Sequence, residues 1–280
     1  MGCSTETSKQ NSSYPLFTKD TEVLGTWWWW VDPKDEDRYL DFARGNSVNE
    51  IYYYTTEFDD CTASFIQKAS NRGIKVFFLT DKYEYIWDHA SFGKLMNQFT
   101  AYQTTAGEDS KFAGLHLDIE PQDHPRYSAN SEAFLQDYID FVVWVCSTYR
   151  KAPGSASGAA AIDFDIAWWF DDTVNYRGRK TELYKALIDE ADRTFVMSYK
   201  NTAEKTYEIS KEEIAYAKSV DKPIILGAET GRIRKEKDVS FYGMGRTYFF
   251  DQLHKLHSLV DYPRYGLAIH YISAWYAMTP

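Results

Sequence analysis

The sequence has little cysteine, no long apolar run and no excess of positive charge, and each absence excludes a class of protein. Three cysteines in 280 residues are too few for a disulfide framework, and their number is odd. No run of about 18 apolar residues is present, so the sequence predicts no membrane span. A formal net charge of −10 provides no electrostatic affinity for nucleic acid, and we expect no nucleic-acid partner.

Short motifs for several kinds of enzyme are also missing. A G-x-S-x-G sequence, typical of serine hydrolases, does not occur. Cys61 and Cys146 fall in predicted helices, where small buried cysteines are common. No G-x-G-x-x-G follows the first predicted strand, and H-x-H, H-E-x-x-H and paired cysteines are not found. The sequence therefore predicts no cofactor and no dedicated metal site.

Aromatic residues, by contrast, are abundant. They make up 17% of the chain, with nine Trp and 22 Tyr, and apolar residues make up 44%. A large core absorbs many aromatic side chains, but the same rings also serve as flat platforms for sugars. The composition therefore leaves both packing and carbohydrate binding open.

Strand-like and helix-like segments alternate along the chain. The runs rich in β-branched and aromatic residues cover 24–30, 49–56, 74–80, 113–120, 162–170, 193–200, 222–229 and 265–273. Apolar residues recur at helical spacing in 35–44, 59–72, 88–105, 128–150, 178–191, 210–219 and 246–259. Parallel strands are implied, because a parallel pair needs a crossover connection. The pattern predicts a (β/α)8 TIM barrel as a single domain over residues 21–280, without an eighth helix after the last strand.

Residues 1–20 lack a core-forming pattern and are predicted to be a flexible tether. Within them, "MGCSTETSKQNSS" resembles the mature end of a bacterial lipoprotein. The resemblance implies a lipid anchor at Cys3 and a location outside the cytoplasm, at a bacterial cell surface. An ordinary disordered terminus is the alternative interpretation. We expect the chain to be a monomer.

The fourth predicted strand has an unusual polar face. In "HLDIEP", His116, Asp118 and Glu120 alternate with apolar residues, so all three point to one side, and Pro121 ends the strand. The barrel interior is the less costly side for them, and catalytic groups of TIM barrels lie at this end of the strands. Crowded carboxyl groups repel, so one of them should hold a proton near neutral pH, as a general acid must.

Other predicted strand ends bring more polar and aromatic side chains to the same rim. Glu229 ends the seventh strand and Tyr199 ends the sixth, and both join Glu120 and Asp118 as candidate catalytic residues. The four tryptophans that end the first strand alternate in direction, so one pair faces inward. Carboxyl groups on the fifth strand are Asp163 and Asp165. Candidate sugar-binding residues are His116, Trp168, His270, Trp275, Trp28 and Trp30.

Three motifs resemble glycoside hydrolase family 18, the chitinase-like barrels. The family pattern D-x-x-D-x-D-x-E aligns with Ala113, His116, Asp118 and Glu120, so only its last two acids are present. The family's M-x-Y matches Met197-Ser198-Tyr199, and its tryptophan near the end of the eighth strand matches Trp275.

The resemblance implies a substrate-assisted hydrolysis of glycans that contain N-acetylhexosamine. Glu120 would protonate the leaving oxygen while the substrate's N-acetyl group attacks the anomeric carbon. Asp118 and Tyr199 would steady that group. A carbohydrate substrate is the partner that the resemblance implies.

Three alternatives remain open at this point. Glu120 before Pro121, together with Glu229, is similar to the acid/base and nucleophile of clan A retaining glycosidases, which act as a close carboxylate pair. A carbohydrate-binding barrel without catalysis is the second alternative. A metal-dependent hydrolase that uses His116, His270 and the nearby carboxylates is the third. The blocks "HLDIEP", "ETG…SFYGMG" and "IHY" also resemble a group of bacterial barrel proteins without an assigned reaction.

Overall fold

The structure is a computed structural model that describes residues 23–150, 161–234 and 236–279. Over these residues the chain forms one closed barrel of eight parallel strands with helices between them, so the predicted (β/α)8 fold is confirmed. The predicted tether and the predicted lipid anchor at Cys3 lie outside the described residues. Among the described helices, none is long and apolar enough to cross a membrane.

The strands in the described part of the chain are β1 (Leu24–Trp28), β2 (Glu50–Tyr54), β3 (Lys75–Thr80), β4 (Gly114–Leu117), β5 (Ala161–Ala167), β6 (Thr173–Tyr176), β7 (Arg179–Glu182), β8 (Arg193–Met197), β9 (Ile224–Glu229) and β10 (Tyr265–His270). β6 and β7 form a separate antiparallel hairpin. The other eight follow one another around the ring in chain order, and β10 closes onto β1.

The α-helices described are α1 (Glu36–Gly45), α2 (Asp60–Ser70), α3 (His89–Thr105), α4 (Ser131–Tyr149), α5 (Leu183–Glu190), α6 (Ala203–Ser219), α7 (Arg246–Leu259) and α8 (Ile272–Tyr276). Several begin at a side chain that caps the free backbone N–H groups. Asp59 accepts two such bonds at the start of α2, and Asp88 accepts one at the start of α3.

The structure corrects four local predictions. The helix predicted over 178–191 begins only at Leu183, because the preceding residues form the β6–β7 hairpin. Its two-residue turn has φ of 50° at Arg177 and 81° at Gly178, which is typical of tight hairpins. α6 begins seven residues earlier than predicted, where Thr202 caps it. The short helix α8 follows the last strand, where no helix was expected. Cys146 is buried, but Cys61 is exposed.

Side chains inside the barrel form a charged base and an aromatic layer above it. At the base, Arg193 of β8 lies between Glu50 of β2 and Asp163 of β5, with N–O distances of 2.8 and 2.6 Å. The layer above is formed by Trp27, Tyr52, Phe77, Leu79 and Phe195. Together the two layers fill the lower part of the barrel, so a ligand can enter only from the C-terminal mouth of the strands.

Gly25 on β1 makes room for this aromatic layer. A Cβ atom at this position would collide with the hydroxyl end of Tyr52, a fully buried side chain on the neighbouring strand. We expect Gly25→Ala to lower the free energy of unfolding by about 1–3 kcal/mol, because the core has no space for the methyl group. Urea titration measures this difference.

Gly45→Ala is the matched control, since nothing lies within 4 Å of the Cβ position at Gly45 on α1. We expect this change to be neutral or slightly stabilising. Equal stability of the two variants would contradict the close packing at Gly25.

Candidate active site

A cavity of about 450 Å³ opens at the C-terminal mouth, where β1, β3, β4 and β10 end. It is lined by Trp29, Trp30, Asp81, Asp118, Glu120, Asp123, His270, Tyr271 and Ser273. The β3–β4 side contributes four carboxyl groups, and the β1–β10 side contributes aromatic rings and an imidazole. Neither lysine nor arginine is among these lining residues. The cavity is therefore acidic on one side and aromatic on the other.

Strand register places three aspartates side by side at this mouth. Leu79 of β3 pairs with His116 of β4, and His116 pairs with Asp163 of β5. Two residues further along, the same register makes Asp81, Asp118 and Asp165 lateral neighbours on three adjacent strands. The N–H of Asp118 still donates to Thr80 O at 3.0 Å, so the sheet pairing continues to this level. Asp118 is the middle member of the row.

Glu120 and Asp118 are held in their protonated forms by their surroundings. The pKa of Glu120 is raised to about 8, mainly by burial and further by the negative charges of Asp123 and Asp165. A hydrogen bond from Gln122 opposes this shift. The pKa of Asp118 is raised well above its ordinary range, mainly by burial and further by the negative charges of Asp165 and Glu120. A carboxyl group that is neutral near pH 7 and faces a cavity can donate a proton to a ligand.

His116 lies below the cavity and supports it from inside the barrel. Its side chain is fully buried, stacks on Tyr52 at 4.2 Å, and places Nε2 at 2.8 Å from Asp165 Oδ2. Burial alone would lower the pKa of His116, but Asp165 and Asp163 raise it to about 9, so the ring is an imidazolium at neutral pH. His116 is not among the residues that line the cavity, so the structure does not favour its predicted sugar-binding role.

His270 lines the cavity and is oriented by two hydrogen bonds. Trp29 Nε1, which can only donate, lies 3.0 Å from His270 Nε2, so this nitrogen is the acceptor. Nδ1 therefore carries the proton and donates to Glu229 Oε2 at 2.7 Å. The other oxygen of Glu229 accepts the N–H of Gly231. Glu229 is only 3% exposed and does not line the cavity, so it acts here as the partner that fixes His270.

Tyr199 packs against the same group from β8. Its ring lies 5.8 Å from that of His270, nearly parallel to it, and Gly227 on β9 leaves the space that the ring occupies. Burial, then the charge of Glu229, raise the pKa of Tyr199 well above its ordinary value. The phenol therefore keeps its proton and remains a hydrogen-bond donor near the rim.

The tryptophans at the end of β1 divide between the core and the cavity. Trp27 and Trp29 point into the barrel, while Trp28 points outward onto Phe65 and is buried. Trp30 lines the cavity with 79% of its surface exposed and a φ of 39°, in the left-handed region. An exposed, strained tryptophan beside a cavity is typical of a ligand-binding position.

Two predicted stacking residues belong to the core instead. Trp28 and Trp275 are 2% and 0% exposed, and Trp275 packs against Phe42 and Phe249 outside the barrel wall. Their predicted sugar-binding roles are therefore replaced by packing roles. Trp168 is partly buried and packs on the outer core, and it is not among the cavity residues.

The sequence interpretation missed several lining residues. Asp81 follows β3 directly and has the parity of Phe77 and Leu79, so strand alternation could have identified it. Asp123 lies in the 3₁₀ turn after Pro121, and no local pattern points it into the cavity. Among the described residues, no three His, Cys, Asp or Glu side chains are arranged to hold a metal ion.

No protein-family model matches the sequence, and a comparison with curated proteins finds no match. Solved structures share the fold. The spore cortex-lytic enzyme SleL of Bacillus cereus aligns with a TM-score of 0.53 and 11% identity, over 92% of this chain and 72% of that chain.

Two further structures are similar. A mutant GH18 chitinase from Cycas revoluta, in complex with (GlcNAc)4, aligns with a TM-score of 0.56 and 11% identity, over 90% of this chain and 95% of that one. The catalytic domain of a beta-amylase from Paenibacillus polymyxa aligns with a TM-score of 0.54 and 10% identity, over 91% and 93%. At these identities the likeness shows the fold, a (β/α)8 TIM barrel, which this chain shares with solved structures of glycoside hydrolases.

The charge of His116 can be measured directly by NMR. We expect its imidazole resonances, assigned by their loss in His116→Gln, to titrate with a pKa of about 9, because Asp165 and Asp163 stabilise the imidazolium. A titration near 6.5, the ordinary value for histidine, would contradict the proposed ion pair beneath the cavity.

Proposed function

We propose that the protein is a glycoside hydrolase that acts on a glycan containing N-acetylhexosamine, with Glu120 as the proton donor. The observation that carries the proposal is the position of Glu120, a carboxyl group on the cavity wall beside Asp118, where burial raises its pKa to about 8. Hydrolysis of a glycosidic bond needs such an acid to protonate the leaving oxygen. A barrel that only binds sugar has no need of a neutral carboxyl group in this position.

In the proposed reaction, Glu120 transfers its proton to the glycosidic oxygen as that bond breaks. The carbonyl oxygen of the substrate's own N-acetyl group forms the new bond to the anomeric carbon. Water then attacks the same carbon, the bond between that carbon and the acetyl oxygen breaks so that the N-acetyl group is restored, and Glu120 takes the proton that this water loses. Substrate assistance is favoured over a protein nucleophile because Glu229, the other candidate, has both oxygens engaged and lies outside the cavity lining.

Asp118 and Tyr199 are proposed to hold the N-acetyl group during this attack. Asp118 lines the cavity two residues before Glu120, so its carboxyl group can accept a hydrogen bond from the acetamido N–H. Tyr199 is not among the residues that line the cavity, but it packs against His270, which is, and its phenol keeps the proton that a hydrogen bond to the acetyl oxygen needs. Donors and acceptors aimed at developing charge are effective in such partly buried sites, because little solvent competes with them.

The aromatic side of the cavity supports a sugar ligand. Trp30 lies at the mouth with its ring 5.4 Å from Trp29 and 5.8 Å from Tyr54. A flat exposed ring of this kind stacks on the apolar face of a sugar ring. The chitinase-like structure from Cycas revoluta holds (GlcNAc)4, which supports an N-acetylglucosamine oligomer as the first substrate to test.

Replacement of the proposed acid tests the reaction. We expect Glu120→Gln to lower kcat on N-acetylglucosamine oligomers by about 10²–10⁴-fold, because glutamine cannot donate the proton. The loss should be smaller on an aryl glycoside, whose leaving group departs with little protonation. Initial rates on both substrates measure the contrast.

Glu108→Gln is the matched control, since Glu108 is 86% exposed and pairs only with Lys111 on the surface. We expect it to keep wild-type rates. Hydrolysis of the oligomers by Glu120→Gln as fast as by the wild type would remove the proton-donor role. Glycan binding with no turnover by the wild type would favour the non-catalytic barrel.

The pH dependence follows from the same carboxyl group. A proton donor is active only below its pKa, so we expect kcat/KM to fall as pH rises through about 8. The apparent value belongs jointly to Glu120 and Asp118, because the two groups interact. A pH profile on N-acetylglucosamine oligomers, whose leaving group needs the proton, measures this limb, and a fall already complete near pH 5 would contradict the raised pKa of Glu120.

A further inference from the structure

Two buried carboxyl oxygens at the base of the cavity have no hydrogen-bond partner among the described residues. They are Oδ1 of Asp118 and Oδ1 of Asp165. A buried acceptor without a donor costs free energy of folding. One proton between the two oxygens would satisfy both of them. Asp165 is only 1% exposed, so bulk solvent does not supply a donor to this oxygen. The buried hydroxyl of Tyr138, whose electrostatic neighbours include Asp118 and Asp165, also has no partner among the described residues.

The sheet brings these two residues together. His116 pairs with Asp163 in the β4–β5 register, so Asp118 and Asp165 are the next inward-facing neighbours. Adjacent strands lie about 4.8 Å apart, and at that spacing two inward-facing carboxyl groups can meet.

Asp165 is fixed on its other side. Its Oδ2 lies 2.8 Å from His116 Nε2 and accepts the indole N–H of Trp27 at 3.1 Å. Because both of these donors contact Oδ2, Oδ1 is the oxygen of Asp165 that is available for a hydrogen bond with Asp118. The imidazolium of His116 also balances one negative charge at this position.

We propose that Asp118 and Asp165 share one proton in a hydrogen bond between their Oδ1 atoms, and that Asp165 thereby positions Asp118 for catalysis. The proton resides on Asp118, and Asp165 is the anchored acceptor. Oδ2 of Asp118 is then presented to the cavity as a hydrogen-bond acceptor of fixed orientation. The catalytic consequence rests on the proposed function, whereas the shared proton does not.

Asp165 is thus a positioning residue that acts through Asp118. The chitinase-like pattern would have an acid at position 116, and this chain has a histidine there. The neighbouring strand supplies the carboxyl group instead, and His116 becomes the cation that holds it. Groups that also influence the protonation of Asp118 are Glu120, Asp81 and Asp123, and those near it from other elements include Tyr138 and Tyr199.

Carbon-13 NMR of aspartate-labelled protein tests the shared proton without any substrate. The Asp118 carboxyl resonance is assigned by its loss in Asp118→Asn. We expect it to report a protonated group at pH 7 in the wild type and to titrate at least one pH unit lower in Asp165→Asn, since the acceptor charge is gone. An ordinary aspartate titration in the wild type, or an unchanged one in Asp165→Asn, would overturn the proposal.

Asp81→Asn is the matched control, because Asp81 is the other lateral neighbour of Asp118 but has no part in the shared bond. We expect it to move the Asp118 titration less than Asp165→Asn does. An equal shift would mean that only general charge repulsion acts on Asp118, and the proposal would fall.

A second measurement avoids dependence on the folding of Asp165→Asn. In the wild type, exchange of H₂O for D₂O should shift the carboxyl resonances of both Asp118 and Asp165, because one hydrogen bond joins them. A shift confined to Asp118 would overturn the shared proton.

If a substrate is hydrolysed, Asp165→Asn should lower kcat more than it alters KM and move the alkaline limb of the pH profile to lower pH. Absence of hydrolysis would remove the proposed function but leave the NMR result standing.

Discussion

A buried ion pair between His116 and Asp165 is the interaction on which the cavity depends. It lies inside the barrel at 2.8 Å, between the charged base around Arg193 and the open mouth. The buried charge of His116 is balanced by two carboxyl groups, since Nε2 is hydrogen-bonded to Asp165 and Asp163 Oδ2 lies 3.9 Å from Nδ1. The pair fixes one negative charge beside Asp118, and this charge helps to keep both Asp118 and Glu120 protonated. The protonation of the site is therefore set in part by a buried pair that does not itself line the cavity.

The barrel geometry explains why the charges accumulate in this way. Inward positions recur every second residue, so each strand contributes a column of side chains from the base to the mouth. On β4 and β5 these columns contain His116, Asp163 and Asp165, whereas Trp27 of β1 and Trp29, which follows that strand, supply indole rings. As a result, positive and negative side chains alternate inside the barrel, and Arg193 and His116 lie between the carboxyl groups. Neither lysine nor arginine is among the residues that line the mouth, and protonation of Glu120 and Asp118 takes the place of such a cation.

Much of this arrangement could be predicted from the sequence, because strand alternation and the order of strands follow local rules. The eight barrel strands, the inward direction of "HLDIEP" and the grouping of Glu120 with Asp118 all follow from period-two patterns. The roles of His116 and Asp165 could not be predicted, since they depend on the register between two strands that are far apart in the chain. Trp28 and Trp275 were assigned to the site because the sequence does not show which side of the barrel wall a tryptophan occupies. The β6–β7 hairpin was missed because its short strands lie next to a helix-like pattern.

Neutron diffraction from crystals grown near pH 7 and exchanged into D₂O tests the central claim most directly, since it locates individual deuterium atoms. The account predicts deuterium on a carboxyl oxygen of Glu120, on Oδ1 of Asp118 towards Asp165, and on both ring nitrogens of His116. Ionised carboxylates at both Glu120 and Asp118, above a neutral His116, would contradict it.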